Sequence, residues 1–371
     1  MRFSKFLTAP VLALLALAGC SPDKDGTVAP APGNNNVYVL NEGPFSNGTG
    51  VGTISLFDKT SKAVTADIFQ SVNSRRLGNL TQSMAVRDKR GYIVMNGSNK
   101  VEVVSLPDFK SVGVVTGLNG PRYFLPISTS RAYVTQWGTY NSAYVSIRHG
   151  IKVVDLINNV VIDSIATGDL PERLTIAGGK VFVANSGSNT ITVIDPNTNR
   201  VTNTITVGDS PNSFAFDKNS RLWVLCGGNV AYNSSYTAVD YSATTPGSLV
   251  GLDPANPTVG ATSRTFASNR FVPTDIHASL AGDQLYFRAA DGFTFLGGVV
   301  RFGIADATLP SLTAPAFIPG LFYGLGIDPN TGVVYTGTGT FSADKMMRYQ
   351  SDGTKIDEAV VGAGPNGFVF Y

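Results

Sequence analysis

Glu172, Asn212 and Asp275 stand near the start of three successive strand-like segments, PERLTI (171–176), PNSFAF (211–216) and VPTDIHA (272–278). Oxygen donors gathered in this way would suit a divalent cation such as calcium, and a hydrolytic reaction built on it. They come without a metal-binding loop or a nucleophile elbow. No motif selects a serine to act with His149 or His277, the only 2 histidines of the chain. The expectation is therefore no catalytic residue and no cofactor, with these three as the only metal candidates.

A second constellation suits recognition without bond making. Gln82, Arg122, Glu172, Asn212, Thr274, Tyr323 and Asn366 precede comparable strands, with Arg173 and Asp275 one place further on. Asn41, Asn96, Gln136, Asn185, Cys226, Ala289 and Thr338 end the strands that follow. Amides dominate both sets, which fits either ligand recognition or the capping of strand ends and turns. Two long segments add aromatic surface. One is WGTYNSAYVSIRHG (137–150); the other runs from 227 to 247 and carries Tyr232, Tyr236 and Tyr241. Rigid scaffolds bind amphipathic ligands with such loops, although the loops could instead cover one another. The candidate binding residues are Arg122, Gln136, Trp137, Tyr140, Arg148, Asn185, Asn212, Tyr232 and Tyr236.

A short motif places these residues in space. VYVLN (37–41), YIVMN (92–96), AYVTQ (132–136), VFVAN (181–185), LWVLC (222–226), LYFRA (285–289) and VVYTGT (333–338) recur at intervals of ~40–63 residues. Strand-rich units at this period predict an all-β, seven-bladed β-propeller of four-stranded antiparallel blades. The clearest unit spans 171–210, where β-branched residues alternate with Thr or Asn between clusters of Gly, Pro and Asn. PNGFVFY (365–371) resembles a first strand with nothing after it, and VYVLN a second strand with nothing before it. Their pairing would close the ring and remove an open edge. In an antiparallel blade the start of the first strand and the end of the second share one axial face, so both polar sets and both long loops belong together.

Residues 1–19 have a basic start (Arg2, Lys5), an apolar run and small residues before Cys20. They read as a secretory signal. Leu17-Ala18-Gly19-Cys20 looks like a bacterial lipobox, which implies lipidation of Cys20; residues 20–36 form a flexible tether, and 37–371 the propeller. The chain has 28 basic and 26 acidic residues. Losing Arg2 and Lys5 leaves a neutral mature domain, which argues against nucleic acid as a partner. With Cys20 acylated, Cys226 has no disulfide partner.

KVFVANSGSNTITVIDPNTNRVTNTITVG (180–208) closely resembles the YVTN-type propeller repeat of bacterial surface and periplasmic proteins. VYVLNEG (37–43), SNKVEVVSLPDFKSVG (98–113) and GPRYFLPISTSRAYVTQWG (120–138) look like a Bacteroidota surface-lipoprotein group within it. That resemblance, together with Asp23-Lys24-Asp25 after the lipidated cysteine, implies a lipid anchor on the outer membrane, exposed at the cell surface. It also implies capture of a small ligand for a TonB-dependent transporter, with a corrinoid such as cobalamin the most concrete ligand and a siderophore-like molecule or glycan next. A structural or adhesion propeller binding protein or polysaccharide is the alternative, and a metal-dependent, lactonase-like hydrolase the third reading.

Overall fold

The computed structural model describes residues 35–44, 50–142, 145–257, 261–293, 297–312 and 316–371. The expected signal segment, Cys20 and most of the tether lie outside the described residues. The unit at 171–206 shows how the sequence builds a sheet. Pro171–Ala177, Lys180–Asn185, Thr190–Asp195 and Arg200–Thr206 pair in chain order. Gly178 and Gly179, at φ 54° and 72°, form the two-residue turn between the first two strands; two successive left-handed residues match the twist of a tight hairpin.

Side-chain alternation then decides the packing. Along Lys180–Asn185, Val181 and Val183 enter a cluster with Tyr133, Ile151 and Val153 of the preceding sheet. Phe182 and Ala184 enter another with Leu222, Val224 and Val250 of the following sheet. A middle strand with both faces buried reads as an unbroken apolar run. The outermost strand, Arg200–Thr206, is exposed except at Ile205.

The whole is an all-β propeller of small antiparallel sheets. Pro365–Phe370 pairs antiparallel with Asn36–Asn41, with Val39 opposite Phe368. The innermost strands are Thr81–Arg87, Pro121–Pro126, Pro171–Ala177, Pro211–Phe216, Phe271–Ala278, Ile318–Ile327 and Pro365–Phe370. Each lies against the next, and the last lies against the first, so they surround one axis.

The expected division into seven separate four-stranded sheets does not hold. Among the described residues five sheets are blade-sized, four of them four-stranded and one five-stranded, while the strands from Phe271 to Val360 run together as one seven-stranded sheet. The reason is local. Among the described residues no strand lies between Gly303 and Ile318. Gly297–Gly303 therefore pairs with the ten-residue strand Ile318–Ile327, through Gly297↔Phe322 and Val299↔Ile318.

The C-terminal strand carries Phe368 and Phe370, whose rings lie 5.6 and 5.1 Å from that of Tyr335, and it precedes Tyr371, 6.3 Å from Tyr38. Losing one buried aromatic costs about 3–5 kcal/mol, and a domain's whole stability is about 5–15 kcal/mol. Deletion of residues 365–371 should therefore leave no cooperative melting transition above 37 °C by circular dichroism. A melting temperature equal to that of the full chain would refute this role.

Candidate axial site

The asparagines that end the second strands fasten neighbouring strands, within their own sheet or, for Asn96, to the next one. Asn185 Nδ2 donates to Thr190 Oγ1 at 3.0 Å and Thr192 Oγ1 at 2.9 Å. Asn41 Nδ2 does the same to Thr53 Oγ1 and Ser55 Oγ, at 3.1 and 3.0 Å. The chain arriving from the preceding unit crosses so closely that a Cβ on Gly168 would meet Asn185 Nδ2 at 2.7 Å. Cys226 takes the equivalent place; burial pushes its thiol up to about 12, so it stays protonated at neutral pH. Asn96 Nδ2 donates to the Pro121 carbonyl at 3.1 Å. Gln136 accepts from Asn119 N at 3.1 Å and donates to the Arg148 carbonyl at 2.7 Å, holding the base of the 137–150 loop. Asn185 and Gln136 are 0% and 1% exposed, with their surfaces spent inside the protein.

The inner set is different, because the axis gathers charges. Gln82, Arg122, Glu172, Asn212 and Asn366 each occupy the second position of an inner strand. Arg122 forks onto Glu172, Nε lying 3.1 and 3.2 Å from the carboxylate oxygens and Nη2 2.8 Å from Oε1, while Nη1 donates to Gln82. Its guanidinium lies 4.0 Å from the Trp137 ring centre. Arg173 bonds Asp275 Oδ1 and sits 4.9 Å from the Tyr123 ring centre. His277 Nε2 approaches the same oxygen at 3.2 Å, and Arg288 Nε lies 3.9 Å from Asp275 Oδ2. Arg288 Nη1 donates to the Phe322 carbonyl at 2.9 Å, with its guanidinium 5.9 Å from the Tyr323 ring centre. The Tyr323 hydroxyl donates to Glu42.

Backbone geometry helps aim these groups. Register shifts between Thr274 and His277, and Asp275 lies inside that irregularity at φ 62°. A bulge redirects side chains that strict alternation would place elsewhere. An aspartate tolerates the left-handed region better than most residues, still at a cost of about 1–2 kcal/mol. Burial opposes ionisation of Asp275, but Arg173, His277 and Arg288 outweigh it and hold the carboxyl well below the usual carboxylate range. Glu42 goes the other way: burial raises its pKa, although the Tyr323 hydrogen bond and Arg122 both pull it down.

Glu172, Asn212 and Asp275 thus lie in one belt without forming a cation site. Glu172 is held by Arg122 and Asp275 by Arg173, while Asn212 donates to the Pro273 carbonyl at 3.1 Å and accepts from Ser213 Oγ at 2.6 Å. Among the described residues no three His, Cys, Asp or Glu side chains are grouped to hold a metal ion.

Of the loop candidates, Trp137 reaches the belt through Arg122. Tyr140 lies in a small hairpin, Thr139–Tyr140 paired with Ser146–Ile147, and is 51% exposed; Arg148, just beyond it, is also exposed. Tyr232 donates to the Gly292 carbonyl at 2.9 Å and packs 6.2 Å from Tyr236, which is 76% exposed. The structure brings Tyr232 and Tyr236 together with each other. Sequence reasoning missed Glu42, Tyr123, Arg288 and the role of His277. Arg288 did leave a signal: a cation within the apolar run LYFRAA (285–290) needs a buried partner.

The two displaced carboxyls carry opposite pH signatures. A depressed pKa, as at Asp275, stabilises above the unfolded value of about 3.9 and is lost as pH falls through the folded value. A raised pKa, as at Glu42, stabilises at low pH and is lost as pH rises through the folded value. Glu42→Gln should therefore melt above the wild type at pH 8, with the gap closing below pH 4. An equal or lower melting temperature at pH 8 would show that Glu42 ionises in the fold without cost.

Solved structures resemble this fold at low identity. A quinonprotein alcohol dehydrogenase-like protein from Bacteroides thetaiotaomicron superposes with TM-score 0.62 and 15% identity, covering 94% of this chain and 79% of that one. A putative 6-phosphogluconolactonase from Bacteroides fragilis gives 0.60 and 13%, covering 95% and 99%. The periplasmic gluconolactonase of Pseudomonas aeruginosa gives 0.60 and 10%, covering 90% and 98%. At such identities the likeness concerns the fold alone. A PE-PGRS family protein of Mycobacterium tuberculosis is 55% identical over 38 residues, 10% of this chain and 8% of that protein. The family described as a domain of unknown function (DUF5074) matches residues 35–370, and the chain belongs to it.

Proposed function

We propose that this protein captures a small ligand on its axial face, without making or breaking bonds, for delivery to an outer-membrane transporter. The observation that carries this reading is the contact between Arg122 and Trp137, with the guanidinium 4.0 Å from the ring centre. An inner-strand charge and the first residue of a long loop thereby form one surface, joining a rigid floor to an adaptable wall. Seven units around the axis, with the seven-stranded sheet counted as two, would supply that floor. In this reading Cys20 carries the lipid anchor at the outer cell surface. The ligand is a corrinoid, a siderophore-like molecule or a glycan, and a TonB-dependent transporter is the partner.

Calorimetry and thermal-shift measurements with cobinamide, cobalamin, a ferric siderophore and a neutral oligosaccharide test the capture step. At least one should bind, and Trp137→Ala should weaken that binding by roughly tenfold or more. Silence with all four, or binding that Trp137→Ala leaves intact, would defeat the reading. For the anchor, Cys20→Ser should move the protein from the membrane fraction to the soluble fraction on cell fractionation; retention in the membrane would defeat that part.

A further inference from the structure

The ion pairs of the axial belt are unequal in what they show to solvent. Arg173 keeps 33% of its side-chain surface accessible and His277 27%, against 7% for Asp275, the carboxylate they share. Glu172 is 11% exposed and closed off by the fork of Arg122. Glu42 is buried and receives the Tyr323 hydroxyl. The anions of the belt are thus covered, as are Arg122 and Arg288 at 16% and 11%, while Arg173 and His277 keep the most accessible surface. Two guanidiniums and an imidazole also converge on the two oxygens of Asp275. The rings of Tyr123 and Tyr323 flank Arg173 and Arg288 and are themselves only partly buried.

Resting on the capture reading above, and selecting among its ligands the carboxylate-bearing ones (an acidic siderophore-like molecule or an acidic glycan, the corrin side chains being amides), we propose that the axial site anchors its ligand through a carboxylate group, received by Arg173 beside Asp275, with the adjoining apolar part of the ligand against the tyrosine rings. A planar guanidinium offers two parallel N–H donors that match a carboxylate, and such paired bonds are about twice as strong as neutral ones. Aromatic faces next to the guanidinium favour a flat or ring-shaped body over a bare inorganic ion. Asp275 then acts as an internal stand-in. It occupies the Arg173 donors when the site is empty and competes with the incoming carboxylate when it is filled.

That competition makes the proposal testable by gain as well as loss. The probes are benzoate, neutral benzamide, cationic benzamidine and inorganic phosphate, titrated against the full propeller while tryptophan fluorescence is recorded. The chain has 2 tryptophans, Trp137 beside Arg122 and Trp223 buried against Asp217; the signal is assigned by its loss in Trp137→Phe. Benzoate should bind in the millimolar range expected of a fragment, at least tenfold more tightly than benzamide or benzamidine and more tightly than phosphate. Arg173→Met should weaken benzoate about tenfold and leave benzamide unchanged.

Asp275→Asn keeps the side-chain size and the tolerance of positive φ. It should tighten benzoate by roughly tenfold and make the melting temperature rise with benzoate concentration. Equal binding of benzamide or benzamidine, tighter binding of phosphate, or no gain in folded Asp275→Asn would overturn the proposal. If a corrinoid, siderophore or glycan still binds in a Trp137-dependent way while benzoate does not, capture stands and the carboxylate anchor falls. If none of the larger ligands binds and benzoate does, the reverse holds.

Discussion

The structure depends on one constraint, that each middle strand buries both of its faces between two neighbouring sheets. Phe182 points into one interface and Val183 into the other, and both are fully covered. A strand in this position has no solvated side to hold polar residues. Charge is therefore mostly driven to the outer edge, to the loops, or to the axis, where inner strands meet without a neighbour on one side; where a middle strand keeps a buried charge, as at Glu102, it is paired, here with Arg75 and Lys100. The outer strand Arg200–Thr206 shows the first outcome. The belt of arginines and carboxylates shows the last.

Charges at the axis are tolerable only if each is compensated, since an unpaired buried ion costs several kcal/mol. Arg122 with Glu172 is a closed pair with good fork geometry. Asp275 instead faces two guanidiniums and an imidazole, in a backbone conformation held by a register irregularity. Backbone strain and converging charged groups thus coincide at this one residue. The stacking of Trp137 on Arg122 links this belt to a loop that lies outside the repeat.

The amides teach the opposite lesson. Their recurrence at strand ends suited a ligand-binding ring, yet Asn41 and Asn185 spend their donors on hydroxyls of the adjacent strand. A glycine from the crossing chain closes over each of them. Recurrence at such positions reflects a repeated fastening, whereas the charged side chains of the axis, Arg122, Arg173, Asp275 and Arg288, follow no repeated pattern.

The chain's own pattern determined its strands, turns and axial polar belt, because period-two apolar runs and glycine turns act within a few residues. Thr190–Asp195 with its neighbours was legible for that reason. So was the pairing of Pro365–Phe370 with Asn36–Asn41, from two half-units left over at the ends. Which polar residues face one another was decided only by the tertiary structure. Arg173 meets Asp275 across 102 positions of sequence, and Tyr323 meets Glu42 across 281. The fusion of strands from Phe271 to Val360 likewise followed from which edges came into reach. Such contacts depend on the angle at which whole sheets pack around the axis, and no local spacing encodes that angle.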